Sequence, residues 1–386
     1  MNQKEIRKTE RIHSLDSLRA IMMLLGLVLH SAVTYTVYDM GEIWTLKDPV
    51  NTNLSNDLIV VLIHLFRMPI FFLIAGFFGS LLFYERNPLK MFKNRVLRIA
   101  YPFLAFLFIL SPVIIIGFLY SKYVFAGEGA PLIKILSWFS NPLILIPRET
   151  YHLWFLFYLF LISMVTILLG LMLKKVPHLT GKVTKGFNWI IQKPVLRIFF
   201  FAGVTLILYV VLDVREVESS ASFIPDWKTF VFYFQFYITG WILFKSKHLL
   251  DKMMNFDWLQ TILGFIITSA IYMINESLSF EVFVLLKSIS VWLFIFGITG
   301  LFIRYGSKHS SIMRYVSDSS YWVYLIHLPI TLVIPGLIGS WTLPATIKFL
   351  IVLISTTVIC FVTYHYFVRN TFIGLFLNGR RYSPKS

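Results

Sequence analysis

Leu15-Asp16-Ser17-Leu18-Arg19, an apolar run over 20–29, and then His30 decide how this chain must be read. The run is hydrophobic enough to cross a bilayer, yet it opens on a guanidinium and closes on an imidazole. Eleven residues at ~100° each return a helix to within ~20° of the same face, and at 1.5 Å per residue the two side chains lie ~16 Å apart. Ionisable groups stacked on one stripe of a membrane helix are costly in lipid, and by default they mark a functional site.

The rest of the chain has the same character. Its 386 residues are 57% hydrophobic, 17% aromatic and only 14% charged, against ~25% charged in an average soluble protein. Mean hydropathy is +0.74. Runs of about twenty apolar residues fall at 15–37, 57–82, 99–120, 151–173, 195–213, 228–246, 257–275, 281–303, 319–338 and 345–369. They predict an all-α, polytopic transmembrane bundle of about ten helices, forming one integral membrane domain over 1–386. The first run is too long for a cleavable leader and lacks a small-residue cleavage pattern. The single Cys360 excludes an internal disulfide. No repeat of fixed period and no inverted pair of broken spans is present, which weighs against a secondary transporter.

A net charge of +16 invites a nucleic-acid reading, but its distribution argues against one. Segments sharing a side with the N-terminus hold 24 of the 35 Lys and Arg residues. The opposite segments hold five: Lys47, Lys122, Lys134, Arg148 and Arg215. The positive-inside rule then places both termini in the cytoplasm. The basic excess reads as a topology signal with some attraction to anionic headgroups of the lipid bilayer, and no nucleic-acid partner is expected.

With that orientation, depth follows from 1.5 Å per residue. Span 1 puts Arg19 near the cytoplasmic surface and His30 near the external one. Span 2 runs back, bringing His64 and Arg67 to about the level of His30. Arg148-Glu149-Thr150-Tyr151-His152-Leu153-Trp154 opens span 4 near that level, and span 9 contributes His327. At the cytoplasmic end Arg95 and Arg98 stand about one helical turn apart, so their guanidinium groups are expected to face one way and grip phosphate. Plainer readings exist. The aromatics of 151–158 suit an interfacial belt, His327 suits an interhelical hydrogen bond, and Arg95 and Arg98 suit lipid phosphates. The histidines are scattered and lack acidic neighbours at ligand spacing, so no metal site is expected.

At these residues the sequence resembles the membrane acyltransferase-3 superfamily. The matches are the Arg19-to-His30 spacing, Phe66-Arg67-Met68-Pro69 through Ala75-Gly76-Phe77, Arg95-Val96-Leu97-Arg98, His152-Leu153-Trp154-Phe155-Leu156 and Tyr324-Leu325-Ile326-His327. One departure is Ala75, where many members carry serine before the glycine, which leaves no hydroxyl there. The opening Arg11-Ile12-His13-Ser14-Leu15-Asp16-Ser17-Leu18-Arg19 is similar to the branch that decorates osmoregulated periplasmic glucans, the glucan succinyltransferase group.

The resemblance implies a multi-pass enzyme of the bacterial inner membrane that takes acyl groups from cytoplasmic acyl-CoA (succinyl-CoA or acetyl-CoA) to hydroxyls of a periplasmic glucan. It implies His30 as the catalytic histidine, and Arg19, Arg95 and Arg98 as donor-binding or structural candidates. His30 would act as general base or be acylated itself. Arg67 or His64 would stabilise the oxyanion, or Arg67 would clamp a succinyl carboxylate. Glu149 would orient an imidazole. His152, Trp154 and His327 are candidates for substrate contact. Glucan synthesis or export proteins and a second copy in a homodimer are the further partners considered. The rival classes are an exporter of an acylated or lipid-linked sugar, and a structural subunit of an envelope machine.

Overall fold

The computed structural model describes residues 3–41, 44–138, 140–141, 145–308 and 310–379, with side chains from residue 13 onward. Among them there is no strand. Arg380, Arg381, Lys385 and the side chains of Lys4, Arg7, Lys8 and Arg11, counted in the charge asymmetry, lie outside the described residues.

The chain runs α1 (Gln3–Ala32), α2 (Leu54–Leu81), α3 (Pro88–Arg95), α4 (Tyr101–Phe125), the short α5 (Pro131–Trp138), α6 (Trp154–Lys174), α7 (Pro177–Ile191) and α8 (Pro194–Leu212). It continues through α9 (Trp227–Lys245), α10 (Asp257–Ile274), α11 (Phe280–Tyr305), α12 (Ser311–Leu337), α13 (Ala345–Thr363) and α14 (Phe372–Asn378). Local signals set the boundaries. Asn53, Asn87, Asp226, Ser279 and Ser310 each cap a helix N-terminus by accepting from backbone N–H groups, and Pro88, Pro177 and Pro194 stand in first turns, where a missing N–H costs nothing.

Nine helical segments among the described residues are long and apolar enough to cross a membrane, against the ten expected. The exception is α9, whose 19 residues reach ~28 Å. Its Tyr and Trp residues, with Lys228, Gln235 and Lys245, dilute its Phe, Val, Ile and Leu and lower its hydropathy. Burial against α2 replaces lipid as its environment. A methyl group on Gly76 of α2 would lie 1.9 Å from the Tyr237 carbonyl oxygen, and one on Gly240 of α9 would lie 1.8 Å from that of Leu73. Only glycine allows this backbone-to-backbone approach, a common basis of helix packing in lipid.

The bundle has two distinct ends. At the Arg19 end, α1 meets the first turns of α12 where Ser317 donates to Asp16, and the α3–α4 junction meets α14 through Arg98. At the His30 end, the 36–53 loop folds back onto α13 and Thr150 meets Ala221. Buried apolar side chains run continuously between the ends, from Leu15, Leu18 and Tyr364 at the Arg19 end through Phe72, Tyr237, Trp292 and Leu325 to Leu153 beside His152.

Candidate active site

Three histidines from three helical segments meet near the His30 end. The His30 ring lies 5.2 Å from His327, and His327 lies 5.3 Å from His152, centroid to centroid. α1 and α12 pack side by side, so residues late in each reach one level. His152 enters from the single turn Tyr151–Leu153 that precedes α6.

Backbone carbonyls fix two of the tautomers. His327 Nδ1 contacts the Tyr324 oxygen at 2.7 Å and the Val323 oxygen at 3.1 Å. A carbonyl can only accept, so Nδ1 carries the proton and donates it. The buried Nε2 keeps its lone pair and has no hydrogen-bond partner. His152 Nε2 donates to the Leu325 carbonyl at 2.9 Å, leaving its buried Nδ1 without a partner. The Tyr324 hydroxyl donates to the His152 carbonyl at 2.7 Å and ties the two segments together. His30 Nδ1 is buried and also lacks a partner, although the residue as a whole is only half-buried. Three imidazole nitrogens without protein partners thus converge at one place.

Arg67 supplies the charge. A methyl group on Gly26 would lie 2.4 Å from the Arg67 Nη1, so the tip of the guanidinium approaches α1 where only glycine leaves room, one turn before His30. That nitrogen, Nη1, is buried and without a partner, while Nη2 touches the Met68 sulfur at 3.4 Å. A small cavity lined by Met22, Met23, Arg67, Met68, Phe71 and Tyr324 sits beside it. Met22 and Met23 lie on α1 between Arg19 and His30, so the cavity lies along the path joining the two ends. Methionine side chains repack readily to admit a flexible ligand.

The 36–53 loop covers the histidines. The Trp44 ring stacks on His30 at 5.4 Å and 29°, and its Nε1 donates to Thr34 Oγ1 at 3.3 Å. A buried ion pair holds the loop: Lys348 Nζ, fully buried, lies 2.9 Å from Asp48 Oδ2, itself 2% exposed. Asp48 also accepts from Val50 N and Asn51 N, and its own N–H donates to Thr34 O. Asp57 closes the near edge by accepting from Val37 N and Tyr38 N.

The other expected residues divide. Arg19 pairs with Asp16 at 2.6 Å, lies over the Phe78 ring and stays accessible at its end of the bundle. Arg95 and Arg98 do not face one way. The turn Val96–Ala100 between them is a π-helix, whose wider winding rotates Arg98 off the face of Arg95. Arg98 donates to the Leu375 and Phe376 carbonyls at the end of α14, a structural duty. Arg95 turns inward, 9% exposed, with one bond to the Ala75 carbonyl at 3.4 Å and a buried Nε that has no partner. Glu149 is exposed and bonds no imidazole among the described residues; carbonyls do the orienting instead. His64 leaves the His30 cluster and faces a separate cleft with Glu216 and Lys287. Trp154 is buried against Tyr158 and Tyr233, behind the lining of that cleft.

Gly26, Met22, Met23 and the Asp48–Lys348 pair were not singled out from the sequence. For Lys348 a signal existed: a lysine in the first turn of an apolar span demands a partner.

Comparison with known proteins agrees with this architecture. A sequence model of the family described as "Acyltransferase domain", the acyltransferase-3 family, matches residues 12–365. Proteins named "Glucans biosynthesis protein C" from Escherichia coli O157:H7 (strain EC4115 / EHEC) and Escherichia coli (strain K12) are each 23% identical to this chain over 384 residues, covering 96% of it and 95% of the relative. No solved structure matches. A helical bundle with a polar centre buried between its ends and a family match across nearly its whole length together place this chain in the acyltransferase-3 family, as a multi-pass membrane acyltransferase.

Proposed function

We propose that the protein moves an acyl group, succinyl in preference to acetyl, from cytoplasmic acyl-CoA to hydroxyls of a periplasmic glucan, at the bacterial inner membrane. The Arg19 end then faces the cytoplasm, as the Lys and Arg asymmetry of the loops favours. The name of the E. coli relatives supports a glucan acceptor. The observation that carries the reading is Arg67: a buried guanidinium with an unused donor, seated on Gly26 one turn from His30 and beside a small cavity lined by Met22 and Met23.

In this scheme the phosphates of CoA meet Arg19, with the spare donors of Arg95 behind it, and the pantetheine arm threads along the methionine-lined side of α1. The arm must span ~16 Å, the rise of eleven helical residues. The thioester carbonyl stops beside Arg67. His30 Nδ1 and His327 Nε2 are both without partners on rings 5.2 Å apart. In the reaction a small rotation of His30 would let its Nδ1–H donate to the His327 Nε2 lone pair, a bond the structure does not contain, and leave His30 Nε2 as the base. His30 takes the proton of a glucan hydroxyl as its oxygen attacks the thioester carbon. Arg67 Nη1 donates to the oxyanion, the C–S bond breaks, and the CoA thiolate leaves with the proton from His30. Positioned proton transfer contributes ~10²–10⁴-fold, and a preorganised oxyanion donor ~10²–10³-fold.

The test is CoA release by the purified protein from succinyl-CoA and acetyl-CoA, with and without a soluble β-glucan. Glucan-dependent release, faster with succinyl-CoA and abolished in His30→Ala, is expected. Equal release by His30→Ala, or none with either donor while CoA and glucan both bind, would overturn the scheme.

A further inference from the structure

His30 becomes cationic each time it takes a proton, and its surroundings decide how well that charge is tolerated. Arg67 acts on the ring from α2, His327 from α12 and His152 from the turn before α6, and His64 is the remaining ionisable neighbour. None of them is an acid. The acids near this end are engaged elsewhere: Asp48 with Lys348, Asp57 with the Val37 and Tyr38 N–H groups, and Asp39 with the Gly41 N–H. Glu149 is exposed and bonds no imidazole among the described residues. In the Ser-His-Asp arrangement a buried carboxylate stabilises the imidazolium. Here a permanent guanidinium stands nearby, and no described carboxylate answers it.

The group laid against His30 is an indole instead. The Trp44 and His30 rings lie 5.4 Å apart, centroid to centroid, and 29° from parallel. Trp44 is half-buried and packs against two clusters of the apolar core. Its Nε1 donates to Thr34 Oγ1 at 3.3 Å, and Thr34 follows His30 by about one helical turn. The Asp48 N–H donates to the Thr34 carbonyl, so the loop and its tryptophan are tied to the turn that follows His30. Indole has the most strongly attracting face of the aromatic side chains, and a cation within ~6 Å of its centroid is held best where water is excluded. Neutral imidazole gains little from that face and imidazolium gains more. The contact therefore strengthens as the proton arrives, which is what an interaction must do to speed a step.

We propose that Trp44 is the charge partner of His30: its indole face stabilises the imidazolium formed when His30 Nε2 takes the proton of the acceptor hydroxyl, until that proton passes to the departing thiolate. The inference rests on the transferase reading above and adds to it a residue that acts through His30.

Trp44→Leu would also empty volume beneath the loop, so the test keeps the ring and weakens only its face. Tryptophans carrying one, two and three ring fluorines are placed at position 44 of the full-length protein through an amber codon. Fluorine draws charge from the ring face and leaves the shape of the indole nearly unchanged. The first reading needs no turnover: the ratio of protonated to neutral His30 at one fixed pH, from nitrogen spectra of protein labelled in its histidine rings. The His30 signal is identified by its absence in His30→Ala. The second reading is glucan-dependent CoA release at saturating succinyl-CoA, at a pH where His30 is neutral, beside succinyl-CoA affinity. The ratio should fall stepwise with fluorine number, by about fivefold or more across the series. The rate should fall in the same order, with succinyl-CoA affinity unchanged. Fluorine also strengthens the indole N–H as a donor, so the series is repeated in Thr34→Val, where the steps should persist. A ratio or, in an active protein, a rate that does not change with fluorine would overturn the inference. So would steps that vanish in Thr34→Val, or a His30 that stays neutral at every pH at which the protein is folded. A stepwise ratio in a protein that transfers nothing would contradict the transferase reading and leave the Trp44–His30 pair standing.

Discussion

Replacing Lys348 by Met should separate the loop over His30 from the rest of the fold. The Lys348 ammonium is fully buried, 2.9 Å from Asp48 and 3.2 Å from the Gly339 carbonyl. The Asn51 amide oxygen, in the orientation that satisfies both of its ends, completes the set at 3.1 Å. All three N–H donors are used. In Lys348→Met, Asp48 keeps the Val50 and Asn51 N–H donors on Oδ1 but loses the cation at Oδ2, leaving a buried charge uncompensated. Breaking a buried pair from one side costs ~3–5 kcal/mol, and at ~2–4 °C per kcal/mol the unfolding midpoint should fall by about 10 °C. Adding Asp48→Asn removes the orphan charge, so the double variant should recover most of the loss, because replacing a whole pair is often close to neutral. The assay is thermal unfolding in detergent beside glucan-dependent CoA release. Activity should fall with the single variant, because the loop that seats Trp44 on His30 is held by the Asp48 turn. A Lys348→Met midpoint within ~2 °C of the parent, or one equal to that of the double variant, would refute the reasoning.

Gly26→Ala should leave the fold intact, since the added methyl meets only the movable end of Arg67, yet slow transfer ~10²–10³-fold by displacing an oxyanion donor; kcat at saturating substrates checks this. Arg98→Ala should lower thermal stability by uncapping α14 and leave the KM for acyl-CoA within ~2-fold, whereas Arg95→Ala should raise that KM. Glu216 provides a pH signature. The Lys287 ammonium beside it, with its hydrogen bond, holds the carboxyl below the usual carboxylate range, which is ~4.3. Its stabilising contribution is therefore complete above that value and lost as pH falls through the lowered one. The thermal midpoint of the parent should drop more steeply than that of Glu216→Gln only at acid pH, a comparison read from unfolding scans between pH 3 and pH 7.

The sequence made the spans legible because twenty-residue apolar runs have few alternative fates, and it made Arg19 and His30 legible because polar groups inside such runs are rare. His152 joined that centre as its depth suggested, and His327 joined it too, although the sequence placed it near mid-membrane. What remained hidden depended on rotation about helix axes. His64 and Arg67 differ by three positions, which leaves them ~60° apart around α2; the long arginine reaches α1 while the short imidazole turns to Glu216. Arg95 and Arg98 diverge because a π-helical turn intervenes, and no residue between them announces it. α9 evaded the hydropathy criterion because tyrosines, tryptophans, Lys228 and Gln235 dilute its aliphatic and phenylalanine content. Lys287 and Lys348 were readable in principle: each lies within two turns of the start of an apolar span, and each has an acidic partner on a loop at the His30 end.

The central claim is that chemistry at His30 joins a donor on one side of the membrane to an acceptor on the other. Proteoliposomes with succinyl-CoA confined to the side of the Arg19 end and β-glucan confined to the other test it directly. Succinylated glucan should accumulate on the glucan side from the parent protein and be absent with His30→Ala. Product formed only when donor and acceptor share one compartment, or formed equally by His30→Ala, would contradict the account.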